Sequence, residues 1–425
     1  MLYIFILLCI WLLIMSYLLS NRNFLSVSFL TTILFLLSCF VLLLNNNKWK
    51  YEMSATTCIT LFMNLSCIFL GEIVVRAMTQ KIPSAELYDE ESINFLDVPQ
   101  WFFILSVFFI GISALLYFRN IQTIVSSVSG TSDIASYRYA KVNEGVSDNV
   151  YISIMKEISY CLCIFYTFIY IFLKRSKKYI IPILLYSIII LLSSGRSQFI
   201  YILAAILVFV YYYYKKNGRL DSQVMIKMVR AAVIALSAFL LIFYIAGFIT
   251  KKSIIYSSAF ENISIYLSSS LLAINRYIEE FRYSFANFGS ETFFGVINFL
   301  RRFGIDLAPQ VKNNYLPFLY FPNMGHTTNV YTFIGRLLHD YNYIGSCIVS
   351  FLIGLQYTKI EEKIRIGAYK NKLFVIMLFA SYFYPIVYSV FDFKYFEIFS
   401  ITGLIHVLTL YFLSKFVSKL LIIKN

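Results

Sequence analysis

Charge is scarce in this chain. Of its 425 residues only 14% are Asp, Glu, Lys or Arg, against roughly 25% in an ordinary soluble domain, while 60% are hydrophobic. That shortage excludes a soluble globular fold. Proline is also sparse, at seven, which leaves room for long unbroken helices. The seven cysteines (Cys9, Cys39, Cys58, Cys67, Cys161, Cys163 and Cys347) all lie in or beside apolar runs, and none forms a CxxC pair. Neither a disulfide framework nor a metal site is expected from them. The three histidines, His326, His339 and His406, follow no zinc-binding spacing. There is no Gly-rich phosphate loop and no acidic metal-binding pair, so an enzyme built on this chain is expected to take a substrate already activated and membrane-bound, and no cofactor is expected. The apolar runs are continuous rather than alternating, which excludes an outer-membrane barrel.

What remains are apolar runs of spanning length, about 20 residues each. Candidate spans fall at 2–19, 24–44, 55–75, 101–118, 151–173, 179–193, 197–214, 229–249, 330–357, 373–391 and 399–415, the ninth with a break near Asp340. The expected fold class is all-α: a polytopic membrane protein with about eleven (10–12) transmembrane helices. The run from Leu2 to Leu19 has no Lys or Arg before it and no small-residue cleavage site, so it reads as a retained span rather than a signal peptide. The net charge of +14 is carried by short basic groups between spans, which is the distribution that orients a membrane protein and not a nucleic-acid surface. Tyr211 to Tyr214 followed by Lys215 and Lys216 marks a cytoplasmic helix end. Counting outward from it places 174–178, 215–227, 359–372 and the C-terminal tail inside. Segments 119–150, 194–198, 250–328 and 392–398 fall outside. The same count leaves Lys48 and Lys50 outside, in mild conflict with the positive-inside rule.

Segment 250–328 is too long for a connector. Ile263, Leu267, Leu271, Ile274, Ile278 and Phe281 recur at helical spacing, predicting an amphipathic helix on or dipping into the membrane surface. The chain thus divides into residues 1–249 with eight spans, a structured extracytoplasmic loop at 250–328, and C-terminal spans at 329–425.

Charged residues on the outer side are the candidates for chemistry. Arg196 sits at a tight helix–turn–helix tip, where a guanidinium either grips a phosphate with two parallel hydrogen bonds or snorkels to the interface. Arg276 and Arg282 lie on the amphipathic helix, with Glu280 and Glu279 at i,i+4 and i,i+3 spacing as the ordinary alternative. Arg301 and Arg302 form a second basic pair suited to anchoring on a membrane surface. Arg138 is the main basic residue of segment 119–150, again with an interface anchor as the alternative. His326 stands at the membrane boundary, where a histidine is suited to removing a proton from a hydroxyl at neutral pH, with a plain polar loop residue as the alternative. Asp340 lies inside an apolar run, where Arg336 is its i,i+4 partner. His406, alone in the last apolar helix, reads as a structural hydrogen-bonding residue.

Ser136-Tyr137-Arg138-Tyr139, Ser194-Gly195-Arg196-Ser197, the long outer loop and the run Thr328-Asn329-Val330-Tyr331-Thr332-Phe333 with Asp340-Tyr341-Asn342-Tyr343-Ile344-Gly345 together carry a family likeness. In these features the chain resembles the Wzy-type oligosaccharide repeat-unit polymerases of O-antigen and capsule synthesis, over about residues 100 to 360. The usual Asp-Phe-Gly is here extended to Asp340 through Gly345. The resemblance implies a multi-pass enzyme of the bacterial inner membrane, with its active site facing the periplasm. It would transfer a glycan from a polyprenyl-diphosphate carrier to a hydroxyl of an incoming lipid-linked unit, without metal or nucleotide sugar. It also implies partners: lipid-linked oligosaccharides, the bilayer, a chain-length regulator and a flippase, with no nucleic acid. On this view Arg196 and Arg276 stabilise the diphosphate and His326 activates the acceptor, with Arg138, Arg282, Asn329, Asp340 and Tyr315 binding substrate. The O-antigen ligases share this layout, and a flippase or transporter of lipid-linked sugars is the alternative from another class.

Overall fold

A computed structural model describes residues 1–20, 22–79, 93–95, 97–128, 136–137, 140, 146, 148–173, 176–193, 197–216, 230, 259–281, 283–309, 311, 316–365 and 372–423. In chain order its elements are α1 (Leu2–Leu19), α2 (Val27–Leu44), α3 (Asn46–Trp49), α4 (Ala55–Thr79), β1 (Ile93–Phe95), α5 (Gln100–Val128), α6 (Val150–Phe168, continued by a π turn at Ile169–Leu173), α7 (Ile180–Leu192) and α8 (Ser197–Lys216). There follow α9 (Ala259–Glu280), α10 (Phe294–Arg301), β2 (Leu319–Phe321), β3 (His326–Thr328), α11 (Thr332–Arg365), α12 (Lys372–Ser381), α13 (Tyr384–Tyr388), α14 (Ile401–Leu420) and β4 (Leu421–Ile423).

The protein is an all-α polytopic membrane protein. Among the described residues eight helices are long and apolar enough to cross a membrane: α1, α2, α4, α5, α6, α8, α11 and α14. Of the other three expected spans, 229–249 lies outside the described residues but for Arg230. The span expected at 179–193 is a helix of 13 residues, roughly 20 Å long at about 1.5 Å per residue and short of a bilayer core of about 30 Å. The span expected at 373–391 is interrupted between α12 and α13, where Pro385 sits in the first turn of the restarted helix and has no backbone N–H to carry a continuous ladder.

Residues 1–84, 257–366 and 385–401 form one compact unit, and the remainder of the chain forms a second. In the first unit α4 and α11 meet backbone to backbone at two glycines. A Cβ on Gly354 would lie 2.1 Å from Ile68 O, and one on Gly71 would lie 2.2 Å from Phe351 O. Beside them Ser350 donates to Asn64 Oδ1 at 2.7 Å and Asn64 Nδ2 donates to Ser346 Oγ at 3.3 Å. Small residues and interhelical hydrogen bonds are what hold helices together where lipid removes the hydrophobic drive. Gly354→Ala is therefore expected to lower stability by about 1–3 kcal/mol through overpacking. Unfolding in mixed micelles checks this, with Gly111→Ala, whose added Cβ meets nothing within 4 Å, leaving the midpoint in place.

At one end of this unit Arg76 reaches Glu72 at 2.7 Å, Glu361 at 3.0 Å and Glu362 at 2.7 Å. Glu72 also accepts from Ser26 Oγ at 2.6 Å, Asn23 bonds Glu361, and Arg365 pairs with Glu362 at 2.6 Å. The α1–α2 turn, the end of α4 and the end of α11 therefore lie on one side, as alternate spanning requires. On the opposite side Asn323 Nδ2 donates to Trp49 O at 3.2 Å, and Ser54 N donates to Asn275 Oδ1 at 2.9 Å. Lys48 is paired there with Glu261, so its charge is met by a carboxylate.

Helix α9 packs against α2, α4 and α11, burying Leu271, Leu272, Ala273, Ile274 and Ile278 together with Ser264, Ser268 and Ser270. The helix expected from the apolar spacing is present, and it is built into the core of the unit. The second unit holds α5 to α8, α12 and most of α14, with β1 and β4 paired antiparallel. Its packing is strongly aromatic, with Tyr166 stacked on Tyr179 and Tyr201 on Tyr384.

Candidate functional site

Of the residues expected to catalyse, His326 and Arg276 are described, and both belong to the first unit. His326 opens β3 opposite Phe321 of β2. The connection is the 3₁₀ turn Pro322–Met324 closed by Gly325 at φ 60°, a left-handed conformation that glycine adopts without a Cβ clash. The histidine is half-buried. The hairpin is fastened to α9 by the hydroxyls of Thr328 and Ser269, 3.2 Å apart. Leu319 and Phe321 pack against a cluster of Ala273, Leu316 and Tyr331. Asn329 is half-buried in the link to α11.

Arg276 lies on α9, three residues after Ala273, and is exposed. Its Nε donates to Glu280 Oε1 at 3.0 Å, the i,i+4 pair expected from the spacing. An exposed pair of this kind is worth about 0.2–1 kcal/mol, so it yields readily to a doubly charged anion. Tyr331 adjoins it. Burial first, then the Glu280 carboxylate, push this phenol up to about 12, with Arg276 pulling the other way. The Tyr331 hydroxyl donates to Pro317 O at 2.7 Å. Through Ala273 and Tyr331, the helix of Arg276 and the hairpin of His326 share one packed surface.

Beyond Asn329 the chain enters α11, which breaks at Asn342 (φ 62°, ψ −175°). The break expected near Asp340 is thus two residues further on. A side chain in this glycine region costs about 1–3 kcal/mol. Asn342 offsets part of that by accepting the Tyr343 N–H on its own Oδ1 at 2.7 Å. The half-helix before the break is almost wholly buried. Its first N–H groups are met from the 389–391 segment, Thr332 N donating to Phe391 O at 3.1 Å and Phe333 N to Ser389 O at 2.8 Å.

This half-helix carries the deepest charges of the unit. Arg336, 4% exposed, forks onto Asp392 through Nε at 2.6 Å and Nη2 at 3.1 Å, and its Nη1 reaches Glu291 at 2.5 Å. Asp340, 0% exposed, accepts from Thr292 N and Thr292 Oγ1, both at 2.7 Å, from Glu291 N at 3.1 Å and from Ser290 Oγ at 3.2 Å. Since Thr292 Oγ1 donates to Asp340, the Tyr341 hydroxyl 2.6 Å away donates to Thr292. Lys394 pairs with Glu397 at 2.6 Å. Burial raises Glu291, with Arg336 opposing. Burial would raise Asp392 too, but Arg336 and Lys394 hold its carboxyl below the ordinary value. Of the two, Glu291 takes a proton first as the pH falls. A guanidinium and carboxylates so enclosed tie the 290–292 turn and the 389–397 segment to the half-helix. Asp340 is thus held by the 290–292 turn and also lies 2.9 Å from His339 Nδ1, and Arg336 is joined to residues far away in sequence rather than serving simply as an i,i+4 mate of Asp340.

Arg196, Arg138, Arg282 and Tyr315 lie outside the described residues. No family model, curated protein or solved structure matches this chain. The site therefore rests on its own chemistry. Sequence reasoning missed Asp392, Glu291 and Lys394, and took Arg336 only as a neighbour of Asp340. A charge inside an apolar run marks Arg336 as strongly as it marks Asp340. Its partners, 45 and 56 residues away, leave no local signal.

Proposed function

We propose that the chain is a glycosyltransferase of the bacterial inner membrane that polymerises polyprenyl-diphosphate-linked oligosaccharide repeat units on the periplasmic face. The observation that carries this reading is the meeting of the His326 hairpin with the Arg276 helix, on the side of the first unit opposite the Arg76 network. Lys359, Lys363 and Arg365 cluster toward the Arg76 end, which supports a cytoplasmic assignment for that end and an outer one for His326.

In the reaction the bond between the anomeric carbon and the diphosphate oxygen breaks, and a bond from that carbon to the acceptor oxygen forms. His326 takes the acceptor proton, which then leaves to solvent. Negative charge grows on the departing diphosphate, and fixed positive charge lowers the barrier most where that charge develops. Arg276 supplies it, and Asn329 meets the sugars. Asp340 and Arg336 position the turn and half-helix behind this surface. A deletion strain tests the reading. Single repeat units attached to the lipid A core are expected in place of long chains. Loss of all attached glycan would identify a ligase instead, and accumulation of untranslocated lipid-linked units a flippase.

A further inference from the structure

Glu157 and Cys161 lie one turn apart on α6, and His406 is on α14. Glu157 Oε1 is 2.6 Å from His406 Nδ1, and Cys161 Sγ is 3.4 Å from the same nitrogen. The three ligand atoms lie within 4.8 Å of one another. All three residues sit in membrane-spanning helices, where ionisable groups are expensive and are kept for a purpose.

The other ring nitrogen fixes what Nδ1 can be. Ser381 Oγ is 2.8 Å from Nε2, and the Ser381 hydroxyl donates to Leu378 O at 2.9 Å. Ser381 thus accepts from the ring, and Nε2 carries the proton. Nδ1 is left as a lone pair aimed at a carboxylate oxygen, and two acceptors at that distance need a positive charge between them. A proton would satisfy two groups. A third group, the Cys161 sulfur, which also lies 3.7 Å from His406 O, converges on the same nitrogen and makes a metal-ligand set. Around a tetrahedral zinc, with Zn–S about 2.3 Å and Zn–N about 2.0–2.1 Å, sulfur and nitrogen ligands stand roughly 3.5 Å apart. Nitrogen and oxygen ligands stand roughly 3.3 Å apart, so Glu157 must swing out by about 0.7 Å. It is the ligand with room to do so, being 25% exposed at the side chain against 1% for His406.

We propose that Glu157, Cys161 and His406 hold a divalent cation of the zinc class, with a fourth position open. Thiolate with imidazole selects such a borderline-soft ion over magnesium or calcium. Thiolate and carboxylate together cancel its double charge, which suits an apolar surrounding. Ser381 is the outer partner that orients the ring, and Tyr160 and Tyr382 wall it at 5.3 and 4.8 Å between ring centres. These residues belong to the second unit, whereas the described residues of the transfer site belong to the first, so the two proposals stand or fall separately.

The test uses the full chain purified in detergent, with zinc measured by mass spectrometry and cobalt used as a spectroscopic substitute. About one equivalent of zinc is expected, with a thiolate-to-cobalt charge-transfer band on substitution. Cys161→Ser is expected to abolish the band, and Ser381→Ala, which keeps every ligand, to weaken metal affinity about 10-fold or more. Monodisperse elution of each variant shows that folding is intact. Wild-type protein that takes up no zinc or cobalt overturns the proposal in favour of a proton shared by His406 and Glu157. Bound cobalt without a thiolate band, or uptake unchanged in Cys161→Ser, overturns it equally.

Discussion

Replacing Arg336 by alanine is expected to remove most of the folded protein from the membrane. The guanidinium is the shared counter-charge of Asp392 and Glu291, all three being largely shielded from solvent. Deleting one partner of a buried ion pair leaves the others uncompensated, at a cost of about 3–5 kcal/mol. That is a large part of the roughly 5–15 kcal/mol that keeps a typical protein folded. Arg336→Lys retains the charge but loses the two-pronged contact with Asp392, so an intermediate level is expected. Arg336→Met combined with Asp392→Asn and Glu291→Gln removes the stranded charges and is expected to recover part of the loss. Protein level in the membrane fraction and the thermal midpoint in detergent are the measurements. Arg336→Ala at wild-type level and midpoint would show that the cluster does not hold the half-helix.

The largest effect on activity is expected at His326. A positioned general base contributes about 10²–10⁴-fold to rate, so His326→Ala should reduce the polymer to single or very short units. Protein level should hold, because the residue is half-buried in a short hairpin. Arg276→Ala is expected to act in the same direction, at little structural cost, since the pair it breaks with Glu280 is exposed. Arg276→Lys keeps the charge without the fork and should recover only part of the activity. Glycan ladders from a complemented deletion strain, with membrane levels measured in parallel, report both. A full-length ladder from His326→Ala rejects the base assignment. Unchanged chain length in both Arg196→Ala and Arg276→Ala rejects the diphosphate assignment.

The spans were legible because an apolar run of bilayer length needs no tertiary information to declare itself, and α1, α2 and α4 stand where their runs stand. The break in α11 was legible from the polar cluster around Asp340, though its seat is Asn342. Helix α9 was legible as a helix but not in its surroundings. Period reports that one face is apolar, and it does not report that Ser264 and Ser268 will be buried as well. The charge cluster was least legible. Arg336, Glu291 and Asp392 come from three separate stretches of chain, and only folding brings them within hydrogen-bonding distance. Lys48 shows the same thing from the other side: a misplaced charge by composition is an ordinary one once Glu261 is beside it.

The glycine contact between α4 and the long half of α11 has a mechanical consequence. Two helices whose backbones touch at Gly71 and Gly354 cannot slide past each other without collision, so this pair behaves as a fixed post. The short half of α11 is joined to that post by the single bent residue Asn342 and is tied at its far end to the 389–391 segment. Any displacement of one half of α11 relative to the other is thereby concentrated at Asn342, with Arg336 about midway along the ten-residue short half.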